Sequence, residues 1–452
     1  MNQTDQTTVP ALPLSSAEPA ATFLPNLERI IRGLLYLYIF ALPFERLLFI
    51  ERNGFIILLA LLVLWCAVNR RHFFLRTPVD LPLIALVGWV GISVPFAAFP
   101  AYSFQEFAKL LQQGLIFYVA VYFFREREDR LRVLGLFIIS LAVISLYGIW
   151  QFEAKPWKPW LGPDNPQSRA YFLIQSFLSS EIWLTTYLVT LIPLSAAAAV
   201  CLPIRWHRVA AMSITGMAMV CQFLTFSRAG LLALVVEAII FASLVRKRMV
   251  SVLVAVALLV GMMGETALVI THRTEGVVFV PGETKFTTYN LEARVKVWKL
   301  GVKKMWEHSL LGVGHGKETF YYLTKEDPSR LAADKEPVPM PTGLHNTFLD
   351  IAVGAGIPAG IAYLWLMWAI WRSGLERFRK EESDLLRTWS LALVVLVAGL
   401  FVRNLFDHMW LGTMALLFWV MVGLALGTVP SQTREVRSSR LGERLSSLEA
   451  RS

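Results

Sequence analysis

Two arginines and a histidine are the residues whose types could act together on a phosphorylated substrate. Arg228 follows an apolar run in the motif SRAG, Arg294 lies within a long polar segment, and His345 ends that segment in the motif GLHNT. A guanidinium binds phosphate oxygens through a planar pair of donors and stays charged at any relevant pH. Histidine can accept a proton near neutral pH. If the fold brings the three together, they predict a site for anion binding and general-base catalysis.

The rest of the chain is too apolar for a soluble protein. Its 452 residues are 56% hydrophobic and 17% charged, with a mean hydropathy of +0.53. Ordinary soluble domains are about 45–50% apolar and about 25% charged. This composition excludes a soluble enzyme, a disordered protein and a disulfide-built secreted protein. It predicts an all-α polytopic membrane protein.

Apolar runs suited to crossing a bilayer, which takes about 20 residues, occur at twelve places. They cover residues 31–50, 54–68, 80–99, 113–124, 131–151, 182–203, 209–226, 229–245, 249–271, 347–371, 388–403 and 409–428. We therefore expect about twelve transmembrane helices, although several of the runs are short.

The basic residues predict the orientation of these helices. Lys and Arg cluster in alternate connections and after the last span, near residues 70–76, 125–132, 205–208, 246–248, 372–387 and 434–451. Short loops rich in Lys and Arg face the cytoplasm. Placing both termini in the cytoplasm puts every cluster on that side. The formal net charge of +10 is then explained by topology, without nucleic acid as a partner.

This topology divides the chain into five parts. Residues 1–28 form a cytoplasmic polar tail, and residues 29–271 carry helices one to nine. Residues 272–346 form a large external loop, residues 347–428 carry helices ten to twelve, and residues 429–452 form a basic cytoplasmic tail. The turn with Arg228 and the loop with Arg294 and His345 fall on the external side.

Two segments on that side are predicted to be amphipathic helices. Residues 103–113 have the pattern of a helix that lies at the outer membrane interface. Residues 291–306 carry apolar side chains at helical spacing. The stripe consists of Leu291, Val295, Trp298, Val302 and Met305.

The chain resembles the O-antigen ligase/O-antigen polymerase superfamily of membrane glycosyltransferases. The resemblance is carried by the SRAG turn, the long external loop, the run LLGVGHG at residues 310–316 and the pair His345-Asn346. It implies a fold similar to GT-C-type glycosyltransferases, in the bacterial inner membrane with a periplasmic loop. It also implies transfer of O-antigen from undecaprenyl diphosphate to lipid A–core oligosaccharide, as in lipopolysaccharide biosynthesis.

The resemblance also implies roles for five residues. His345 matches the family's catalytic histidine, while Arg228 and Arg294 match arginines that bind the donor diphosphate. Arg169 resembles another outer-face arginine, and Asp407 matches a supporting aspartate in the last outer turn. We expect an inverting transfer without metal or cofactor, and since a diphosphate leaves as a stable anion, no general acid is needed.

Other functions stay open at this stage. An O-antigen polymerase, which uses a second lipid-linked repeat unit as acceptor, is the nearest alternative, and protein O-glycosylation uses the same chemistry. A secondary transporter is a more distant alternative that could use Glu237, a carboxyl group midway along the eighth span. We interpret Glu237 as a buried structural residue. The oligomeric state and the sugars joined are not specified by the sequence.

Overall fold

The computed structural model describes residues 18–155, 174–245, 261, 289–324, 343–407 and 412–427. These residues form helices and connecting turns, without a strand. Both predicted tails in large part, nearly all of the predicted ninth span and much of the external loop lie outside the described residues. Arg169 lies outside them too.

Fourteen α-helices are defined in this part of the chain. They are α1 (Glu18–Ala41), α2 (Leu48–Asn69), α3 (Asp80–Ser93), α4 (Pro100–Phe123), α5 (Arg127–Ala154), α6 (Glu181–Cys201), α7 (Arg205–Phe223), α8 (Arg228–Leu244), α9 (Tyr289–Glu307), α10 (Thr319–Thr324), α11 (Thr347–Ala355), α12 (Ile357–Lys380), α13 (Asp384–Asn404) and α14 (Gly412–Leu426). Short 3₁₀ turns at Glu45–Leu47 and Val94–Phe96 flank α2 and α3.

Four of the described helices are long and apolar enough to cross a membrane. They are Glu45–Asn69, Arg127–Ala154, Glu181–Cys201 and Asp384–Asn404, and two shorter apolar helices cover Asp80–Phe96 and Gly412–Leu426. The prediction of an all-helical, multi-pass membrane protein is therefore confirmed. The count of twelve spans and the GT-C-type architecture stay predictions.

Helix α13 lies at the centre of the bundle. It packs against α6, α8 and α12, while α14 packs against α4. Most side chains of α13 are buried, as expected for a helix that is apolar on every side. Its last turn, Arg403 and Asn404, is polar and yet buried. Polar groups at that depth need hydrogen-bond partners, and these partners define the candidate site.

The predicted tenth span is not one helix. The chain breaks at Gly356, so that residues 347–371 divide between α11 and α12, and α12 continues to Lys380. Gly356 has φ +89 and ψ 164, a conformation that is essentially restricted to glycine. At the break, the carbonyl of Leu310 in the preceding loop lies where a Cβ of residue 356 would be. Ile357 N then donates to Ser309 O (2.8 Å), which ties the start of α12 to the loop.

Residues 103–113 are not a separate interfacial helix. They form the first half of α4, which continues into the predicted span without interruption. The polar side chains Ser103, Glu106 and Gln113 are buried. The polar face of this segment is therefore turned into the protein, where residues 314–316 and helix α14 contact it.

Candidate functional site

His345 lies in the turn before α11 and contacts the turn that follows α13. Its Nδ1 is 3.3 Å from Oδ1 of Asp407, and Oδ2 of Asp407 is 3.5 Å from Nη2 of Arg403. The side chain of His345 is 32% exposed, that of Asp407 is 13% exposed, and that of Arg403 is 3% exposed. The three side chains thus run from a buried guanidinium to an imidazole that solvent or a substrate can reach.

Buried hydrogen bonds join the two turns directly beneath this pair. Thr347 Oγ1 lies 2.9 Å from both Asn404 Oδ1 and Asp407 O. Asn404 Nδ2 in turn donates to the hydroxyl of Tyr363 on α12 (3.0 Å). Because Thr347 is two residues from His345, these bonds fix the distance between the imidazole and the Asp407 carboxylate.

The backbone of His345 adopts an uncommon conformation. Its φ is +50, in the left-handed region that few non-glycine residues occupy. Both neighbours hold it there: Leu344 N donates to Asp350 Oδ1 (3.3 Å), and the side chain of Asn346 caps α11 by accepting from Leu349 N (3.0 Å). Such a conformation costs on the order of 1–3 kcal/mol and persists where surrounding contacts impose it.

The helix predicted in the external loop is present as α9, and it docks on the same turn. Trp298 Nε1 donates to the carbonyl of Leu344 (2.8 Å). Val297 of α9 is buried in a small apolar cluster with Val313, Leu344 and Val353. The loop helix is therefore attached to the backbone next to His345.

The predicted apolar stripe of α9 is wrong in part. Val295 and Val302 are exposed, at 38% and 41%, whereas Val297 is buried. Gly301 explains the rotation of the buried face. Its missing side chain leaves room for Leu344, which a Cβ at residue 301 would contact at 2.5 Å. A prediction based on apolar side chains does not count glycine, and it therefore did not identify the face of α9 that carries Gly301 as buried.

Arg294 belongs to α9, and its backbone lies one helical turn before Trp298. The side chain of Arg294 lies outside the described residues. Arg169 cannot be placed for the same reason.

Arg228 is the first residue of α8 and is exposed. Ser227 caps this helix by accepting from Gly230 N (3.3 Å). Gly230 lies directly against Thr185 and Gln222, where a side chain would overlap both. The SRAG motif thus combines a helix cap, an exposed arginine and a glycine that permits close packing.

A chain of contacts places Arg228 at the same end of the bundle as His345. Gly230 touches Thr185 near the start of α6, and Trp183 of α6 lies 3.3 Å from the Cβ position of Gly412. Gly412 follows Asp407 by five residues, and Asp407 contacts His345. Arg228, His345 and Asp407 therefore lie toward one end of the bundle, and their shared role in a site stays a prediction.

The glycine-rich run at residues 312–316 has a packing role. Val313 N and Gly314 N donate to Val353 O (2.9 Å) and Gly354 O (2.8 Å) of α11. A Cβ at Gly312 would overlap the backbone of Gly354. The run lies backbone to backbone against α11, and at residue 312 this close approach requires glycine.

Sequence reasoning missed the polar network of Thr347, Asn404 and Tyr363. The available signal was the short N-cap motif Asn346-Thr347 and the polar end of an otherwise apolar helix at Asn404. Glu237 is buried in α8, with its carboxyl group against Gly399 of α13. No hydrogen-bond partner of that carboxyl occurs among the described residues.

Comparison with known protein families identifies one match. The model of the O-antigen ligase family matches residues 210–364. The match confirms the resemblance over this segment, which contains Arg228, Arg294 and His345, whereas Arg169 and Asp407 lie outside it. No curated protein matches the chain.

Proposed function

We propose that this protein, whose residues 210–364 match the model of the O-antigen ligase family, is an O-antigen ligase of the bacterial inner membrane. It transfers O-antigen polysaccharide from undecaprenyl diphosphate to lipid A–core oligosaccharide at the periplasmic face. The family match supports a glycosyltransferase of the ligase or polymerase type. The identities of the donor and the acceptor, and the side of the membrane on which transfer occurs, are part of what we propose.

The reaction forms one bond and breaks one bond at the anomeric carbon of the donor sugar. His345 takes the proton from an acceptor hydroxyl, whose oxygen attacks that carbon from the face opposite the leaving group. The bond between the anomeric carbon and the phosphate oxygen breaks, and its electron pair stays on undecaprenyl diphosphate. The configuration is therefore inverted.

The contact between His345 and Asp407 is the observation that carries this assignment. A carboxylate 3.3 Å from Nδ1 favours the tautomer that bears its proton on that nitrogen, so that Nε2 acts as the base. The buried Arg403 beside Asp407 favours the charged carboxylate. General-base assistance of this kind is typically worth about 10²–10⁴-fold in rate.

The arginines act on the leaving group. Arg228, at the exposed start of α8, binds the diphosphate together with Arg294 and Arg169, and their charges stabilise the negative charge that develops as the bond breaks. The N-terminus of a helix is itself favourable for an anion. The leaving diphosphate is a stable anion, so the proposal needs neither a general acid nor a metal ion.

A reconstituted reaction tests the proposal. The purified protein is incubated with lipid-linked polysaccharide and lipid A–core, and the product is followed as lipopolysaccharide on a gel. We expect His345→Ala to reduce the rate by about 10²–10⁴-fold. His308→Ala, which alters an exposed histidine at the end of α9, serves as the matched control. Transfer by His345→Ala at the wild-type rate overturns the assignment.

The same assay separates the ligase from the polymerase. A donor that carries a single repeat unit is supplied with and without lipid A–core. Lengthening of the lipid-linked chain without lipid A–core identifies a polymerase and overturns the ligase proposal. Transfer that requires lipid A–core supports it.

A further inference from the structure

A polar cleft lies beside the candidate site and is not used by the chemistry above. It is bounded by α4, by the segment after the glycine-rich run and by α11. Its polar lining includes Glu106, Lys109, Gln113, Lys317 and Asp350, with Gly412 at one edge. We refer to these six residues as the α4 cleft.

Helix α4 presents its polar side chains to this cleft. Glu106 and Gln113 are 9% and 5% exposed, and Lys109 Nζ donates to Glu106 Oε1. Gln113 Oε1 accepts from Trp419 Nε1 of α14 (3.3 Å). Polar side chains on an apolar helix of a membrane protein are costly unless they face a polar cavity or each other, and they commonly mark a substrate path.

The glycine-rich run carries Lys317 to the opposite wall. Gly316 has φ +129 and lies against Tyr102 and Glu106, where a Cβ would overlap both. Glu318 N donates to the hydroxyl of Tyr102 (3.1 Å). These contacts hold the segment against α4. Lys317 lines the cleft without a carboxylate partner among the described residues.

The cleft reaches the backbone on both sides of the His345–Asp407 pair. Asp350 accepts from Leu344 N (3.3 Å), one residue before His345. Lys317 Cγ lies 3.5 Å from the Cβ position of Gly343. On the other side, Gly412 follows Asp407 by five residues. The two chain segments that carry the candidate base and its partner therefore also border the cleft.

The cleft and Arg228 are carried by different helices. Arg228 begins α8, which packs on α13, whereas α4 packs on α14. In a transfer reaction the base lies between donor and acceptor, because it takes a proton from one while that group attacks the other. With the diphosphate assigned to Arg228 on α8, the cleft on α4 is left for the acceptor.

We propose that the α4 cleft binds a phosphate group of the acceptor, an anionic oligosaccharide. Carboxylate and amide groups such as Asp350 and Gln113 suit sugar hydroxyls, and the ammonium groups of Lys109 and Lys317 suit phosphate oxygens. The identification of the ligand as the acceptor rests on the proposed function. Binding of a phosphorylated saccharide at the cleft does not depend on that function.

Kinetics and direct binding together test the inference. Lys317→Ala is compared with wild type and with Lys303→Ala, a lysine of α9 that is 61% exposed and forms an ion pair with Glu307 at 3.9 Å. We expect Lys317→Ala to raise the acceptor KM about tenfold, as for a lost charged hydrogen bond, and to leave the donor KM unchanged. Lys109→Ala, at another partly exposed position, gives a second variant if Lys317→Ala fails to fold.

Binding of delipidated, phosphorylated core oligosaccharide to the purified protein gives a readout that is independent of turnover. We expect Lys317→Ala to weaken binding about tenfold and dephosphorylation of the probe to abolish the difference. The inference is overturned if Lys317→Ala raises the KM for the donor. It is also overturned if the variant is active with unchanged KM values and unchanged binding of the oligosaccharide. Lysine-dependent binding without any transfer supports the cleft and contradicts the proposed function.

Discussion

His345 and Asp407 are 62 positions apart in the chain, yet Nδ1 of one lies 3.3 Å from Oδ1 of the other. The contact joins the turn before α11 to the turn after α13. Buried hydrogen bonds among Thr347, Asn404 and Tyr363 connect those turns. The geometry of the candidate base is thus set by a buried network and not by its neighbours in sequence.

Replacing Asp407 by Asn tests this relationship. The amide keeps the size of the side chain but removes the carboxylate charge that orients the imidazole of His345. We expect the transfer rate to fall by about 10–100-fold, less than the loss for His345→Ala. Steady-state kcat with saturating donor and acceptor is the measurement.

The double variant Asp407→Asn/His345→Ala is the control for that prediction. Because the aspartate acts through the histidine, its effect should disappear once the histidine is absent. Losses that multiply in the double variant would show that Asp407 acts independently.

Arg228 is expected to contribute charge and geometry to donor binding. Arg228→Ala should lower kcat/KM for the donor by about 10–100-fold, which corresponds to a lost charge-assisted hydrogen bond. Arg228→Lys should restore part of this loss only, because an ammonium lacks the planar fork. Arg205→Ala, at the exposed start of α7, is a matched control that should behave like wild type. An equal loss in the control would remove the case for Arg228.

The bond from Trp298 to the Leu344 carbonyl is expected to position α9 against the site. Trp298→Phe keeps the apolar bulk and removes a hydrogen bond worth about 0.5–1.5 kcal/mol. We expect the transfer rate to fall several-fold, with little change in the thermal midpoint of the purified protein. Trp306→Phe alters a 67% exposed tryptophan of the same helix and should leave both quantities unchanged. Equal rates for Trp298→Phe and wild type would show that this docking contact is dispensable.

The helix break at Gly356 is expected to be intolerant of a side chain. Gly356→Ala places a Cβ on the Leu310 carbonyl and forces alanine into a conformation that costs on the order of 1–3 kcal/mol. The thermal midpoint should fall clearly. Gly216→Ala, in α7 with no atom within 4 Å of the Cβ position, should raise the midpoint or leave it unchanged, since alanine favours helix by about 0.5–1 kcal/mol. A Gly356→Ala midpoint equal to wild type contradicts the strain argument.

The proposed chemistry also predicts insensitivity to chelators. Because the diphosphate is held by arginines, we expect the transfer rate in EDTA to equal that in untreated buffer. Loss of activity in EDTA that added Mg²⁺ restores would refute the metal-independent mechanism.

Some of these features could be read from the sequence, because hydropathy and charge belong to each segment separately. The apolar composition identified a helical membrane protein, and the residue types at positions 228 and 345 indicated anion binding and proton transfer. The motif SRAG marked the start of α8, and the polar loop was correctly expected to contain a helix over residues 291–306.

The remaining features depend on contacts between distant segments. The stripe of α9 was misjudged because Gly301 packs against Leu344 through the absence of a side chain. Both the break at Gly356 and the polar face of α4 contact the segment of residues 310–316. Leu310 lies against Gly356, and Gly316 lies against Glu106 of α4. The family resemblance implied a supporting role for Asp407, but its contact with His345 was not predicted. The sequence by itself determined which residues have side chains suited to a site. The tertiary structure decided which of them are in contact, because a contact depends on two segments that are distant in the chain and local patterns describe each segment separately.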